Sequence, residues 1–222
     1  KEDSNLKGMG TTCTALLIKE DKIYIAHVGD SRIYINTDNK LYRITKDHSF
    51  VQKLVDAGQL KDSEMESHPR KNELTQAIGI ASDVLVEVAE HPILPKKGDK
   101  FLMCSDGLCG LVNDLTILNT INTTNGISTV NDLIQLAENA GGNDNISVDI
   151  IEITQSPHLK TTFNDKTNYD TLFTETQVLD DGLVTPISQI NTIIKKYGLY
   201  ISVSFLIILL IGLFIFPFPI NI

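Results

Sequence analysis

Three aspartates stand where a strand-like run meets a turn. They are Asp30 in Gly29-Asp30-Ser31-Arg32, Asp106 in Ser105-Asp106-Gly107, and Asp144 in Gly141-Gly142-Asn143-Asp144-Asn145. Asp106 follows the apolar run FLMC, and Asp144 comes just before ISVDII. A carboxylate at the end of a buried strand is held rigidly at the sheet edge. Glycine beside it lets the chain turn sharply and lets a ligand come close. Two such carboxylates converging on one point make an all-oxygen site suited to Mg²⁺ or Mn²⁺. A single Asp-Gly turn is ordinary turn chemistry. Three at strand ends in one domain say more, although spacing alone leaves the metal open.

Other chemical groups carry weaker signals. His27, His48, His68, His91 and His158 show no metal-ligand spacing, and His48 is expected to have a local structural role. Cys13, Cys104 and Cys109 are odd in number and lack paired spacing. They read as small buried hydrophobes in a reducing compartment, not as a disulfide framework. Arg32 is expected to anchor structure near Asp30. Arg70 and Lys71, in a basic turn after His68-Pro69, could steer an anionic substrate or simply be solvated. The formal net charge of -9 argues against binding a nucleic-acid backbone.

Positioning these groups requires a sheet framework. TTCTALLI (11–18), KIYIAHVG (22–29), RIYIN (32–36) and KLYRIT (40–45) read as four strands separated by turns at Glu20-Asp21, Gly29-Asp30-Ser31 and Asp38-Asn39. Such short links require antiparallel pairing. A helix over 49–58 is expected, with Ser49 as N-cap and Gly58 as terminator. A shorter helix follows over 62–67. VLVEVAEH (84–91), KFLMCS (100–105) and ISVDIIEI (146–153) read as strands, and 113–122 and 128–139 as amphipathic helices. Strands in runs with helices set apart indicate an α+β fold, an antiparallel sandwich flanked by helices, not a doubly wound sheet.

The expected organisation is one domain over 1–154, a polar, disordered linker over 155–197, a membrane-spanning helix over 198–217 and a short tail over 218–222. The run LYISVSFLIILLIGLFIF (199–216) is uncharged and mostly apolar. As a helix it would cover ~27 Å, near the hydrocarbon thickness. Lys195 and Lys196 precede it and no charge follows. The positive-inside bias then places the domain in the cytoplasm.

Six segments occur in order: GMGTTCTALLI (8–18), HVGDSRIY (27–34), TKDHSFVQKLVDAG (45–58), HPRKNELTQAIG (68–79), GDKFLMCSDGLCGLV (98–112) and GGNDNISVDII (141–151). Together they resemble the successive motifs of bacterial type 2C serine/threonine protein phosphatases. The resemblance covers about residues 8–153. It implies a four-layer αββα fold and two Mg²⁺ or Mn²⁺ ions, with a third bound more weakly. Carried over by position, Asp106 and Asp144 would hold one metal of the pair. Asp30, with Asp106, would hold the third. The ions would lower the pKa of a water that attacks phosphorus in line, without a covalent enzyme intermediate, so Cys104 and Ser105 need not be nucleophiles.

The resemblance also implies phosphorylated proteins as substrates and a cognate serine/threonine kinase as partner, while the apolar run 199–216 implies a single-pass location at the cell membrane. It departs from the family at its start. Members carry a further segment before the GMGTT-like motif. That segment supplies an Arg for the substrate phosphate, an Asp bridging both metals, a Gly carbonyl ligand and a His proposed as general acid. The chain is therefore expected to hold half of a dinuclear site, as a fragment of a longer protein, and to be inactive alone. The alternative is a noncatalytic phosphoprotein-binding or regulatory module with an incomplete metal site.

Overall fold

The computed structural model describes residues 8–80, 83–163, 172–173 and 177–179. Two four-stranded antiparallel sheets face one another. The first has the order β1 (Cys13–Lys19), β2 (Lys22–Val28), β5 (Val84–Val88), β8 (Gln177–Leu179). The second has the order β4 (Lys40–Arg43), β3 (Arg32–Thr37), β6 (Lys100–Cys104), β7 (Val148–Glu152). Period-two alternation sends β2 Ile23 and Ile25, β3 Ile33 and Ile35, and β6 Phe101 into the core between the sheets. The intervening Tyr34, Leu102 and Cys104 face a helical layer instead. That layer comprises α2 (Asp106–Cys109), α3 (Asp114–Thr123) and α4 (Ile127–Asn139), which bury Leu108, Ile117, Ile121, Leu133 and Ala137 against the second sheet.

β3 is buried along its whole length, so its polar side chains must find partners. Asn36 donates to Asn122 of α3 at 2.7 Å, and the Tyr34 hydroxyl donates to Asp114 at 3.1 Å. These bonds fasten α3 to the strand that begins beside Asp30. The outward side chains of β1, including Ala15 and Leu17, are exposed, and so is Cys13, contrary to the expected burial that Cys104 and Cys109 do show, because β1 is an edge strand.

The expected N-cap at Ser49 is present: its hydroxyl accepts from the Gln52 amide at 3.2 Å and starts α1 (Phe50–Asp56). The segment over Asp62–Ser67 is a 3-10 helix. One expected turn is not a turn within a sheet. β2 and β3 do not pair; Gly29-Asp30-Ser31 carries the chain from the first sheet to the second. Short links indicate antiparallel hairpins only when both strands stay in one sheet. Here Gly29 adopts φ +112°, and a Cβ there would meet Thr12 Cγ2 at 2.3 Å. A tight crossing is thereby possible.

The polar stretch after β7 also differs from a tether in its described part. Phe163, Leu172 and Phe173 are buried in the inter-sheet core, Phe163 lying edge-on to Tyr42 at 5.6 Å. Leu94 and Thr162 exchange hydrogen bonds, and the Glu90 amide donates to the Leu172 carbonyl. The Thr161 hydroxyl donates to the buried Asp99 carboxylate. Isolated hydrophobes in polar sequence look like linker until the core that receives them is known. Among the described residues no helix is long and apolar enough to cross a membrane. The run expected to do so, 198–217, lies outside the described residues.

Phe163→Ala is expected to destabilise the domain by about 3 kcal/mol, the usual loss for a buried aromatic. Urea unfolding checks this. A change below about 0.5 kcal/mol, as for a surface residue, would show that the segment is only a tether.

Candidate metal centre

The aspartates singled out by sequence come together. Asp30, Asp106 and Asp144 line one cleft of about 190 Å³ beside the ends of β3, β6 and β7. Each arrives by a different local device. Asp30 sits in the sheet-crossing segment, and His48 grips that segment from both sides. The Gly29 amide donates to His48 Nδ1 at 3.1 Å, and the His48 amide donates to the Gly29 carbonyl at 2.7 Å. Accepting at Nδ1 leaves the His48 proton on Nε2, which faces Glu87 at 3.2 Å. The expected structural role of His48 is thus seen in detail.

The segments that carry Asp106 and Asp144 are stapled together by Ser105. Ser105 N–H donates to the Ser147 carbonyl at 3.1 Å, and Ser147 N–H donates to Ser105 Oγ at 3.0 Å. Ser105 Oγ donates to the Asn145 carbonyl at 3.1 Å. Gly107 completes the close approach: a Cβ there would meet Asn145 O at 2.5 Å. The turn before β7 therefore lies directly against the start of α2. The Asn145 amide donates to the Asp144 carboxylate at 2.7 Å, fixing its orientation.

Arg32 is an anchor, as its position suggested. Its Nε and Nη2 form a fork on buried Asp47 at 2.6–3.1 Å, and Nη1 donates to Tyr34 at 3.2 Å. The bidentate geometry holds the cleft floor rigidly. Sequence reasoning missed Asp47 and the Ser105 staple. Asp47 is adjacent to His48 in the DHS turn, but its partner lies fifteen residues earlier. Among the two basic turn residues, Arg70 forks onto Glu73 at 2.7 Å and stacks on Phe50 at 3.5 Å, so it is spent locally. Lys71 lines the cleft. His27 is buried, contacts Thr14 and the Lys46 carbonyl, and lies outside the cleft lining. Burial first, then the neighbouring His48, lowers its pKa to about 4, so it is neutral and structural.

Electrostatics give the cleft its character. Its lining holds the carboxylates Asp30, Asp47, Glu66, Asp106 and Asp144 against the cations Arg32 and Lys71. Burial raises the Asp30 carboxyl to about 6, reinforced by Asp106 and then Asp47; its own backbone N–H and Arg32 oppose the shift. The Asp106 carboxyl is also raised, by burial and then by Asp144, against hydrogen bonds from backbone N–H groups. Asp106 is thus electrically coupled to both other aspartates. Among the described residues, no three His, Cys, Asp or Glu side chains close into a preformed metal cage. Two carboxylates with water completing the shell are, however, a normal Mg²⁺ set, and the donors here are all oxygen. The chemistry of the donor set therefore suits a hard divalent cation.

A pH effect follows. The folded chain holds the Asp30 proton up to about pH 6, whereas an unperturbed carboxyl releases it near 3.8. In that window the fold binds more protons, so Asp30 lowers stability as pH rises through it. Without metal, Asp30→Asn is expected to be more stable than wild type at pH 7 by on the order of 2 kcal/mol. Much of that gain should vanish at pH 4. Urea midpoints at both pH values check this; a pH-independent difference between the proteins would contradict it.

Comparison with known proteins assigns the chain to a family. The family model described as protein phosphatase 2C matches residues 1–146. The serine/threonine protein phosphatase PstP of Mycobacterium tuberculosis is 38% identical over 152 residues, covering 68% of this chain and 29% of that protein. The protein phosphatase PhpP of Streptococcus pneumoniae is 34% identical over 155 residues, covering 69% of this chain and 62% of that protein. The chain thus spans under two thirds of either relative. A crystal structure of the PstP catalytic domain, described as in complex with 2 manganese ions, superposes with a TM-score of 0.58 at 34% identity. It covers 67% of this chain and 61% of that one. Matched over most of its described fold, this chain belongs to the protein phosphatase 2C family.

Proposed function

We propose that this chain is the C-terminal part of a metal-dependent phosphatase acting on phosphoserine and phosphothreonine in proteins, carried on a single membrane helix. The observation that carries the reading is the cleft itself. Among the described residues, Asp30, Asp106 and Asp144 share it with two cationic side chains, Arg32 and Lys71. Such a site repels a phosphate dianion until divalent cations reverse its charge. Asp106 and Asp144 would hold one cation, and Asp30 with Asp106 a weaker one. When bound, Mg²⁺ or Mn²⁺ neutralises phosphate oxygens and acidifies a water. The chain's own contributions are positional. The Ser105 staple fixes Asp106 against Asp144, the Arg32–Asp47 fork stiffens the floor, and Lys71 offers a charge to an entering phosphate.

The PstP structure with manganese supports the choice of cation, and the relatives' names support the substrate class. The cognate partner would be a serine/threonine kinase and its substrates. The tether rests on sequence: the uncharged run 199–216, preceded by Lys195 and Lys196, suits a single-pass helix with the domain cytoplasmic. The lack of a closed three-residue cage among the described residues favours a second reading, a phosphoprotein-binding module without turnover.

Hydrolysis of a phosphothreonine peptide with Mn²⁺ separates the two. Residues 1–222 alone are expected to be inactive, since the resemblance places the bridging carboxylate before Gly8. Joining the upstream segment of a relative, or of the same gene, should restore activity. In that protein Asp106→Asn should lower kcat by at least about 100-fold, and Asp30→Asn far less at saturating Mn²⁺. If the extended protein binds the peptide but never hydrolyses it, the binding-module reading stands.

A further inference from the structure

Among the described cleft carboxylates, Glu66 is the one carried on the 3-10 helix Asp62–Ser67. It lies near the end of that helix, which is pinned to the domain by buried Met65. Its side chain is half exposed, yet it reaches back into the cleft. One carboxylate oxygen is 3.5 Å from Lys71 Nζ, and the other is 3.7 Å from Arg32 Nη2. The same oxygen that faces Lys71 lies 3.8 Å from where a Cβ on Gly110 would stand. Glu66 therefore spans from the surface helix to β3 and to the end of α2, above the Asp106 helix start.

These contacts have a consequence for any anion entering the cleft. The only cationic side chains lining it, among the described residues, are Arg32 and Lys71. Arg32 is held in place by its fork onto Asp47 and its bond to Tyr34, so it cannot swing toward an entering anion. Lys71 is the adaptable charge, and Glu66 neutralises it. A phosphate monoester needs the same ammonium group, because a point cation on a flexible stem suits a phosphate oxygen. Carboxylate and phosphate cannot both occupy that contact without strong like-charge repulsion.

We propose that Glu66 is a phosphate-competitive latch: it holds Lys71 across the cleft until an entering phosphate monoester displaces it. The latch sets affinity and selectivity without touching the reacting atoms. It favours dianionic groups, which outcompete one carboxylate, over singly charged side chains of unphosphorylated peptides. This proposal rests on the phosphatase reading for its substrate, but its competition step is a binding event and can be measured separately.

The test is calorimetric titration of inorganic phosphate into residues 1–222 in excess Mg²⁺. Wild type, Glu66→Gln, Asp62→Asn and Glu66→Gln combined with Lys71→Met are compared. Glu66→Gln should bind phosphate about two- to fivefold more tightly, the scale of a half-exposed ion pair. The gain should shrink with added salt. Asp62→Asn removes the same charge from the same helix and should leave affinity unchanged. The double variant should lose the gain. Equal affinity of Glu66→Gln and wild type, no measurable binding by Glu66→Gln, an equal gain in Asp62→Asn, or a gain that survives Lys71→Met would each overturn the latch.

In the extended protein, Glu66→Gln should lower KM for a phosphothreonine peptide with kcat unchanged. Hydrolysis with an unaltered KM would remove the latch and leave the phosphatase. Tighter phosphate binding in a protein that never hydrolyses the peptide would remove the phosphatase and leave the latch.

Discussion

Repulsion among carboxylates crowded into one cleft is the constraint on which the rest of this structure depends. Asp106, Asp144 and Asp30 line the same cleft, and the half-buried Asp30 and Asp106 carboxyls titrate high, first because burial removes water and then because of the neighbouring carboxylates. Left to themselves, such groups would move apart or into water. A fold that keeps them together must supply rigidity from elsewhere, and it gains from any cation that enters. Burial of like charges is tolerated when the site is built to be completed by a ligand.

The rigidity comes from polar side chains that clamp backbone. The crossing between sheets at Gly29 is gripped by His48, whose own ring is oriented by Glu87 on the neighbouring sheet. The junction of β6 and α2 is stapled by Ser105 to the turn before β7. Both devices act where a strand ends, so the inter-sheet core fixes the ends and the ends fix the aspartates. The Arg32–Asp47 fork adds one charge-balanced strut between them. Buried ion pairs of this kind contribute little net stability but strongly penalise loss of either partner. Its value here is in holding geometry.

Local signals made much of this legible from the residues. Alternating β-branched runs marked the strands, Ser49 marked a helix start, and glycine-flanked or Asn-flanked Asp turns marked the three carboxylates. What stayed hidden depended on partners distant in sequence. Gly29-Asp30-Ser31 has the length of a hairpin turn, and only the contacts with Thr12 and His48 make it a crossing. Phe163 looks like a stray hydrophobe until the core beside Tyr42 receives it. Arg70 and Lys71 are adjacent and alike, but Phe50 and Glu73 claim the first and leave the second to the cleft. Glu66 carries no motif at all. Its role follows from where a short surface helix places it.

The central claim is that Asp106 joins two carboxylate pairs into one cation-seeking site. Titration of Mn²⁺ into residues 1–222, followed by loss of the free-ion electron paramagnetic resonance signal, tests it most directly because it needs no turnover. Wild type should bind Mn²⁺, and Asp106→Asn should weaken binding at least about tenfold. Asp144→Asn and Asp30→Asn should each weaken only part of it, and Asp132→Asn, an exposed acid on α4, none. Equal Mn²⁺ binding by wild type and Asp106→Asn would contradict the account.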